Sequence, residues 1–161
     1  MQIYGDNFDV TFSPVARKTS IRTIYAISAR HGLQIHQMDV NNAFLNADLD
    51  TTSEIYIKTP DGFQGLTKDE CLKLHKALYG LKQAPREWNA TINAYLFEKG
   101  FTRLNADNCI YIRGDISKGT YTIISIYVDA ILIAGQNMKE INRIKGKLNS
   151  KWRMKDLEPV N

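Results

Sequence analysis

The chain has 161 residues, 43% of them hydrophobic, and a formal net charge of +4, enough apolar material for one core, and a single domain over residues 1–161 is expected. Its longest apolar runs fall far short of the roughly 20 residues that a membrane-spanning helix needs, so no membrane partner is expected. Cys71 and Cys109 lack metal or redox spacing and the polar N-terminus reads as no secretory leader, which excludes a disulfide framework and points to a reducing intracellular compartment, cytoplasm or nucleus.

From Ser20 to Arg30, Ile21, Ile24, Tyr25 and Ile27 recur at helical spacing, with Gly32 placed to end a first helix. "LQIHQMDV" then alternates as a strand does, and a short strand "EIYIK" follows the polar "NADLDTTS". "CLKLHKAL" alternates as well. Pro85 suits the first turn of a second helix, in which Trp88, Ile92, Tyr95 and Leu96 make one apolar stripe that Gly100 ends. "NCIYIR", "TYTIISIYV" and "AILIAG" form a meander, its last turn falling on Val128 to Ala130. Asn137 with Glu140 predicts a capping box that opens a third helix, with Met138, Ile141, Ile144 and Leu148 inward. The chain closes on a short basic segment, "KWRMKDL". Helices mix with antiparallel strands, so the expected class is α+β with the helices on one face of a sheet.

Two carboxylates stand at the ends of apolar β-segments, Asp39 after "LQIHQM" and Asp129 at the hairpin tip. An ionised carboxylate is costly there unless paired or bound to a cation, and two strand ends side by side would suit Mg²⁺. The ordinary alternative for either residue is a turn former. Residues 136–155 hold seven Lys or Arg against Glu140 alone, a local charge of +6. That is either a solvated helix face or a surface for phosphates.

"QMDVNNAFLNADL", "LYGLKQAPREW", "YVDA" and "MKDLEP", in that order, resemble the reverse transcriptase of copia-type LTR retrotransposons, whose usual forms read QMDVKTAFLNGDL, LYGLKQAPRQW, YVDD and MKDLG. "TFSPVARKTSIRT" is similar to that family's fingers segment, and the resemblance runs from about Asp9 to Pro159. It implies the fingers and palm of a right-hand polymerase with a ferredoxin-like palm. It implies catalytic roles for Asp39 and Asp129, which with Val40 would hold Mg²⁺ or Mn²⁺. Asn41, Asn42 and Ala43 would line the nucleotide, Phe44 would gate against the ribose 2′-hydroxyl, and Lys82 and Gln83 would support nucleotide and template. Arg17, Lys18 and Arg22 match a basic segment that reaches the triphosphate, the three being left unresolved. Tyr127, Lys139, Arg143, Lys147 and Lys151 are the candidates for contact with an RNA or DNA template–primer.

The chain departs from the family at Ala130, which stands where YVDD has its second aspartate, at Ala47 for the glycine of AFLNGDL, and at Glu158 for the glycine of MKDLG. A carboxylate beside a cation has a gross interaction of about 4 kcal/mol at ~4 Å and an effective dielectric of 20. A loss of ~3 kcal/mol of transition-state stabilisation would slow the reaction by more than about a hundredfold. The family's thumb and RNase H domain are expected to be absent as well. Three readings follow: an impaired palm retained as a nucleic-acid-binding or self-associating module, with a homodimer expected; an active RNA-directed DNA polymerase or a fragment of one; and a structural, protein-interaction domain derived from a retrotransposon.

Overall fold

The computed structural model describes residue 11 and residues 13–49, 54–60, 62, 63, 65, 67 and 70–160; the polar N-terminus, Phe12 of the fingers-like segment and the polar stretch 50–53 lie outside them. The chain divides into two compact units, Met1–Ser13 with Phe44–Thr91 and Pro14–Ala43 with Ile92–Asn161.

The second unit is organised by an apolar run. In β6 (Thr120–Tyr127) six successive residues are buried, which only a strand covered on both faces can achieve. It pairs antiparallel with β5 (Ile110–Asp115) and with β7 (Ala130–Gly135). β7 pairs with β1 (Gln34–Val40), β1 with β8 (Met154–Pro159), and β4 (Thr102–Arg103) closes the far edge against β5. The spatial order is β4-β5-β6-β7-β1-β8. Because α2 (Ala84–Glu98) follows β1 and α3 (Met138–Lys151) joins β7 to β8, the chain runs β1-α2-β6-β7-α3-β8 as a β-α-β-β-α-β unit whose four strands lie in the spatial order β6-β7-β1-β8 at one end of the sheet. The closing basic segment, not foreseen as a strand, is β8.

Directly opposed residues share a sheet face, so the register assigns the helices. One face carries the row Ile35, Ala134, Ile123 and Ile112. α1 (Lys18–His31) packs Ile24 against it, with Ile21 and Ile27 alongside. The other face carries His36, Ile133, Ile124 and Tyr111. There a Cβ added to Gly135 would lie 3.7 Å from Ile141 of α3, and Lys145 Nζ sits 3.2 Å from His36 Nδ1. The Tyr111 hydroxyl donates to Asn93 Oδ1 of α2 at 3.1 Å. The expectation of helices on one face is therefore corrected: α2 and α3 cover one face, α1 the opposite one. The reason is β6 itself, apolar toward both sides, whose burial is favourable by roughly 25 cal/mol per Å².

Local chemistry sets the helix ends. Gly32, at φ 65°, closes α1. Asn137 Oδ1 accepts from the Lys139 and Glu140 N–H groups at the start of α3, but the Glu140 carboxylate turns to Arg143 and Arg113, so the predicted box is half formed. Met138, expected inward, is 38% exposed; it precedes the first turn that faces the sheet. α1 has no side-chain cap of its own. Asp107 supplies one from the loop after β4, accepting from the Arg17 N–H at 3.0 Å, the Ser20 hydroxyl at 2.6 Å and, through its other oxygen, the Cys109 N–H at 3.0 Å. Burial pushes the Asp107 pKa up, but those bonds outweigh it and hold the carboxyl below its ordinary value.

On β8 two residues, Leu157 and Glu158, stand opposite Gln37, because the register steps from His36–Pro159 to Met38–Asp156. This bulge puts Glu158 at φ 66°, the region that glycine enters at no steric cost. It is the position at which MKDLG has its glycine.

In the first unit β2 (Tyr56–Lys58) pairs antiparallel with β3 (Cys71–Lys73), and Ala47, Leu49, Ile55 and Ala77 are buried. Asp48 bridges to Lys76, with an ion pair of 2.8 Å. Ala47 is fully buried and has no positive φ, so its methyl is tolerated where the family has glycine.

Candidate active site

Asp39 is the penultimate residue of β1, and Val128 and Asp129 are the two residues that turn β6 into β7. Asp39 stands across from Ala130, Ala130 across from Tyr127, and on the other side Asp39 faces Lys155 of β8. These four form one row on the face that carries α1. The Val40 N–H donates to the Asp129 carbonyl at 2.9 Å, which stitches the end of β1 to the hairpin tip. The backbone thus brings the two aspartates side by side. Among the described residues neither carboxylate has a hydrogen-bond or ion-pair partner, and both residues are half-buried.

The hairpin tip is strained. Val128 has φ 59°, the left-handed region that a β-branched side chain almost never enters, at a cost on the order of 1–3 kcal/mol. Such strain persists where neighbouring structure over-determines it, and the ladders to β6 and β1 do that here.

α1 flanks the row. Ile21 and Tyr25 line a cleft of about 150 Å³ with Gln37, Ser125, Tyr127 and Ala130. At about 100° per residue, Lys18 and Arg22 fall on the same flank of the helix as Ile21 and Tyr25. Arg17 instead lines a groove on the other flank, with Asp107. Asn41 and Asn42 form the exposed turn after β1, the Asn41 N–H donating to the Arg153 carbonyl at 2.9 Å and Asn42 lying at φ 51°. Ala43 is fully buried, main chain included, so of the three only Asn41 and Asn42 are exposed.

In the other unit, Phe44 is buried with its ring centroid 4.4 Å from that of Tyr79. Lys82 is exposed. Gln83 is buried, and its carbonyl accepts from the Glu87 N–H at 3.1 Å in the first turn of α2.

Lys139, Arg143, Lys147 and Lys151 are exposed along the outer side of α3. That helix covers the opposite sheet face, so these four do not share a surface with Tyr127. Lys155 belongs to the basic run 136–155 and to the "MKDL" motif, but neither assigns it to this row. Asp107 gave no sign, since its partners lie 87 and 90 positions away.

Two aspartates on adjoining main chain are the kind of oxygen donor that a hard divalent cation takes. Among the described residues no three His, Cys, Asp or Glu cluster in a way that could hold a metal, and the place of a third carboxylate beside this pair is Ala130.

A family model described as reverse transcriptase (RNA-dependent DNA polymerase) matches residues 1–161. The chain belongs to that family, and its relatives place it with the reverse transcriptase domains of copia-type retrotransposons. It is 40% identical over 157 residues to a retrovirus-related Pol polyprotein from transposon TNT 1-94 of Nicotiana tabacum, covering 97% of this chain and 12% of that protein. It is 36% identical to the Pol polyprotein from transposon RE1 of Arabidopsis thaliana, covering 98% and 10%. A putative transposon Ty5-1 protein of Saccharomyces cerevisiae is 39% identical, covering 77% and 39%. The chain thus spans about a tenth of the length of the plant polyproteins. Among the described residues no helix is long and apolar enough to cross a membrane.

Proposed function

We propose that the chain is the fingers-and-palm part of a copia-type RNA-directed DNA polymerase, binding an RNA or DNA template–primer, with nucleotidyl transfer weakened by Ala130. The observation that carries this reading is the pairing of Asp39 with Ala130, one residue from Asp129, with both carboxylates free of partners among the described residues. Acidic groups left unneutralised at the end of an apolar sheet are costly unless something else compensates them.

When bound, divalent Mg²⁺ or Mn²⁺ would lower the pKa of the primer 3′-hydroxyl and neutralise the departing pyrophosphate. Asp39 and Asp129, with Val40, would hold the ion. Asn41 and Asn42 would line the nucleotide, and the motifs that hold Phe44, Lys82 and Gln83 imply for the other unit the roles of gate against a 2′-hydroxyl and support of the base pair. Lys18 and Arg22 are the better placed of the three α1 cations to meet phosphates, since they share the flank of Ile21 and Tyr25. Tyr127, 46% exposed on the same row as Asp39, would offer its ring to the primer end.

The test is template-dependent primer extension with Mg²⁺ or Mn²⁺ by the wild-type chain and by Ala130→Asp. We expect the variant to extend at least about a hundredfold faster, the equivalent of ~3 kcal/mol. Equal rates would refute the view that Ala130 is the weak point.

A further inference from the structure

We infer that the outer side of α3 is a second, sequence-independent contact surface for the phosphate backbone of single-stranded nucleic acid, separate from the Asp39–Asp129 site and on the other side of the sheet. This rests on the proposed reading only for the partner's class; the surface itself is argued from charge and geometry.

Ile141, Ile144 and Leu148 face the sheet and are buried. Lys139, Arg143, Lys147 and Lys151 recur every fourth residue on the exposed side, a line about 18 Å long at 1.5 Å per residue. The only acid in the helix is Glu140, shared between Arg143, at 2.7 Å from Nε, and Arg113, so that group keeps a net positive charge. Lys139, Lys147 and Lys151 have no ion-pair partner among the described residues. Lys145 does not belong to the stripe: it is turned inward to Asp156 at 2.5 Å. Four cations at i,i+4 spacing repel one another, at roughly 0.2–0.5 kcal/mol per pair; Glu140 beside Arg143 and the Glu98 carboxylate near Lys151 offset part of that, and an external anion would offset the rest.

Spacing and composition favour nucleic acid over an acidic peptide or a lipid surface. The i,i+4 spacing sets successive cations about 6 Å apart along the helix, and each one that meets a phosphate adds about 0.7 to the salt slope of single-strand binding. The residues between the cations are Asn142, Gly146, Asn149 and Ser150, all exposed. Asn side chains hydrogen-bond phosphates; the Ser150 hydroxyl donates to the Lys147 carbonyl at 2.9 Å and Asn149 Oδ1 accepts from the Met154 N–H at 3.1 Å, which leaves the amide N–H groups of Asn142 and Asn149 to donate, and Gly146 has open space around it, so a backbone can approach closely. The exposed residues between Lys139 and Lys151 include no aromatic or large aliphatic side chain to anchor a peptide or enter a bilayer.

The test needs neither metal nor nucleotide, so it stands apart from the extension assay. A fluorescent single-stranded oligonucleotide is titrated with the full chain in EDTA from 50 to 200 mM salt. Wild type should show a log–log slope of about 2.8, an affinity loss of about fifty-fold over that range, and Lys147→Gln/Lys151→Gln a slope lower by about 1.4. Anionic vesicles of phosphatidylserine and phosphatidylcholine should not compete. An unchanged slope in a double variant whose circular dichroism matches wild type overturns the proposal, as does displacement by the vesicles or failure of wild type to bind. Failure of the Ala130→Asp extension would leave it standing.

Discussion

The strand β6 is flanked by two hairpins that solve the same geometric problem differently. The turn from β5 spans Ile116–Gly119 and is built as turns usually are: Gly114 and Gly119 take the positive φ values, 106° and 68°, and Asp115 Oδ1 accepts from the Ser117 N–H at 2.9 Å and its hydroxyl at 2.6 Å. The turn into β7 has no glycine; Val128 takes φ 59°, and the Asp129 side chain makes no bond to its own turn. One aspartate is consumed by its hairpin and the other is held away from it, at a conformational cost. A strand-terminal aspartate is therefore not informative by itself; whether its carboxylate is spent on the turn is.

Five substitutions bear on that contrast. Gly114→Ala should be the most damaging, because the new Cβ would meet the Thr120 carbonyl at 2.1 Å; a loss on the order of 3 kcal/mol in urea unfolding is expected. Asp129→Asn should cost at least tenfold in Mn²⁺ affinity, or about 1.4 kcal/mol, with unfolding stability changed by no more than about 0.5 kcal/mol. A large stability loss would mean that Asp129 is a turn former after all. Val128→Gly should raise stability by about 1 kcal/mol through relief of its positive φ, and the same change at Asn42 offers the control, since asparagine tolerates that region better.

The smallest effect is expected at Asp115→Ala, a modest fall in melting temperature. Hydrogen bonds from Ser117 hold the Asp115 carboxyl below its ordinary value. A depressed carboxylate contributes stability above the unfolded value of about 3.9 and loses it as pH falls through the folded one. The gap between wild type and variant should therefore be full at pH 6 and close below about pH 4; a gap that persists at pH 2.5 would contradict the role given to the charge.

Much of this was legible in the sequence where the signal is local. Gly32 and Asn137 end and start helices as their chemistry requires, and the apolar run of β6 was visible as a strand. The same run also implied cover on both faces, and that inference was missed. What escaped was set by distant partners. β8 is exposed along most of its length, so it has no alternation to read, and it becomes a strand only by pairing with β1, more than a hundred positions earlier. The half-formed capping box has the same origin, since Arg113 draws Glu140 away. At the site, the motif order was readable, whereas the assignment of Lys18 and Arg22 to one flank of α1 and Arg17 to the other needed the packing of α1 on the sheet.

The bond from the Val40 amide to the Asp129 carbonyl carries one more implication. Both acids ride on main chain that is fastened together, so their separation is a property of the scaffold and survives the loss of either side chain. A neutral substitute at either position therefore removes one charge from the hairpin tip without moving the main chain that carries the other.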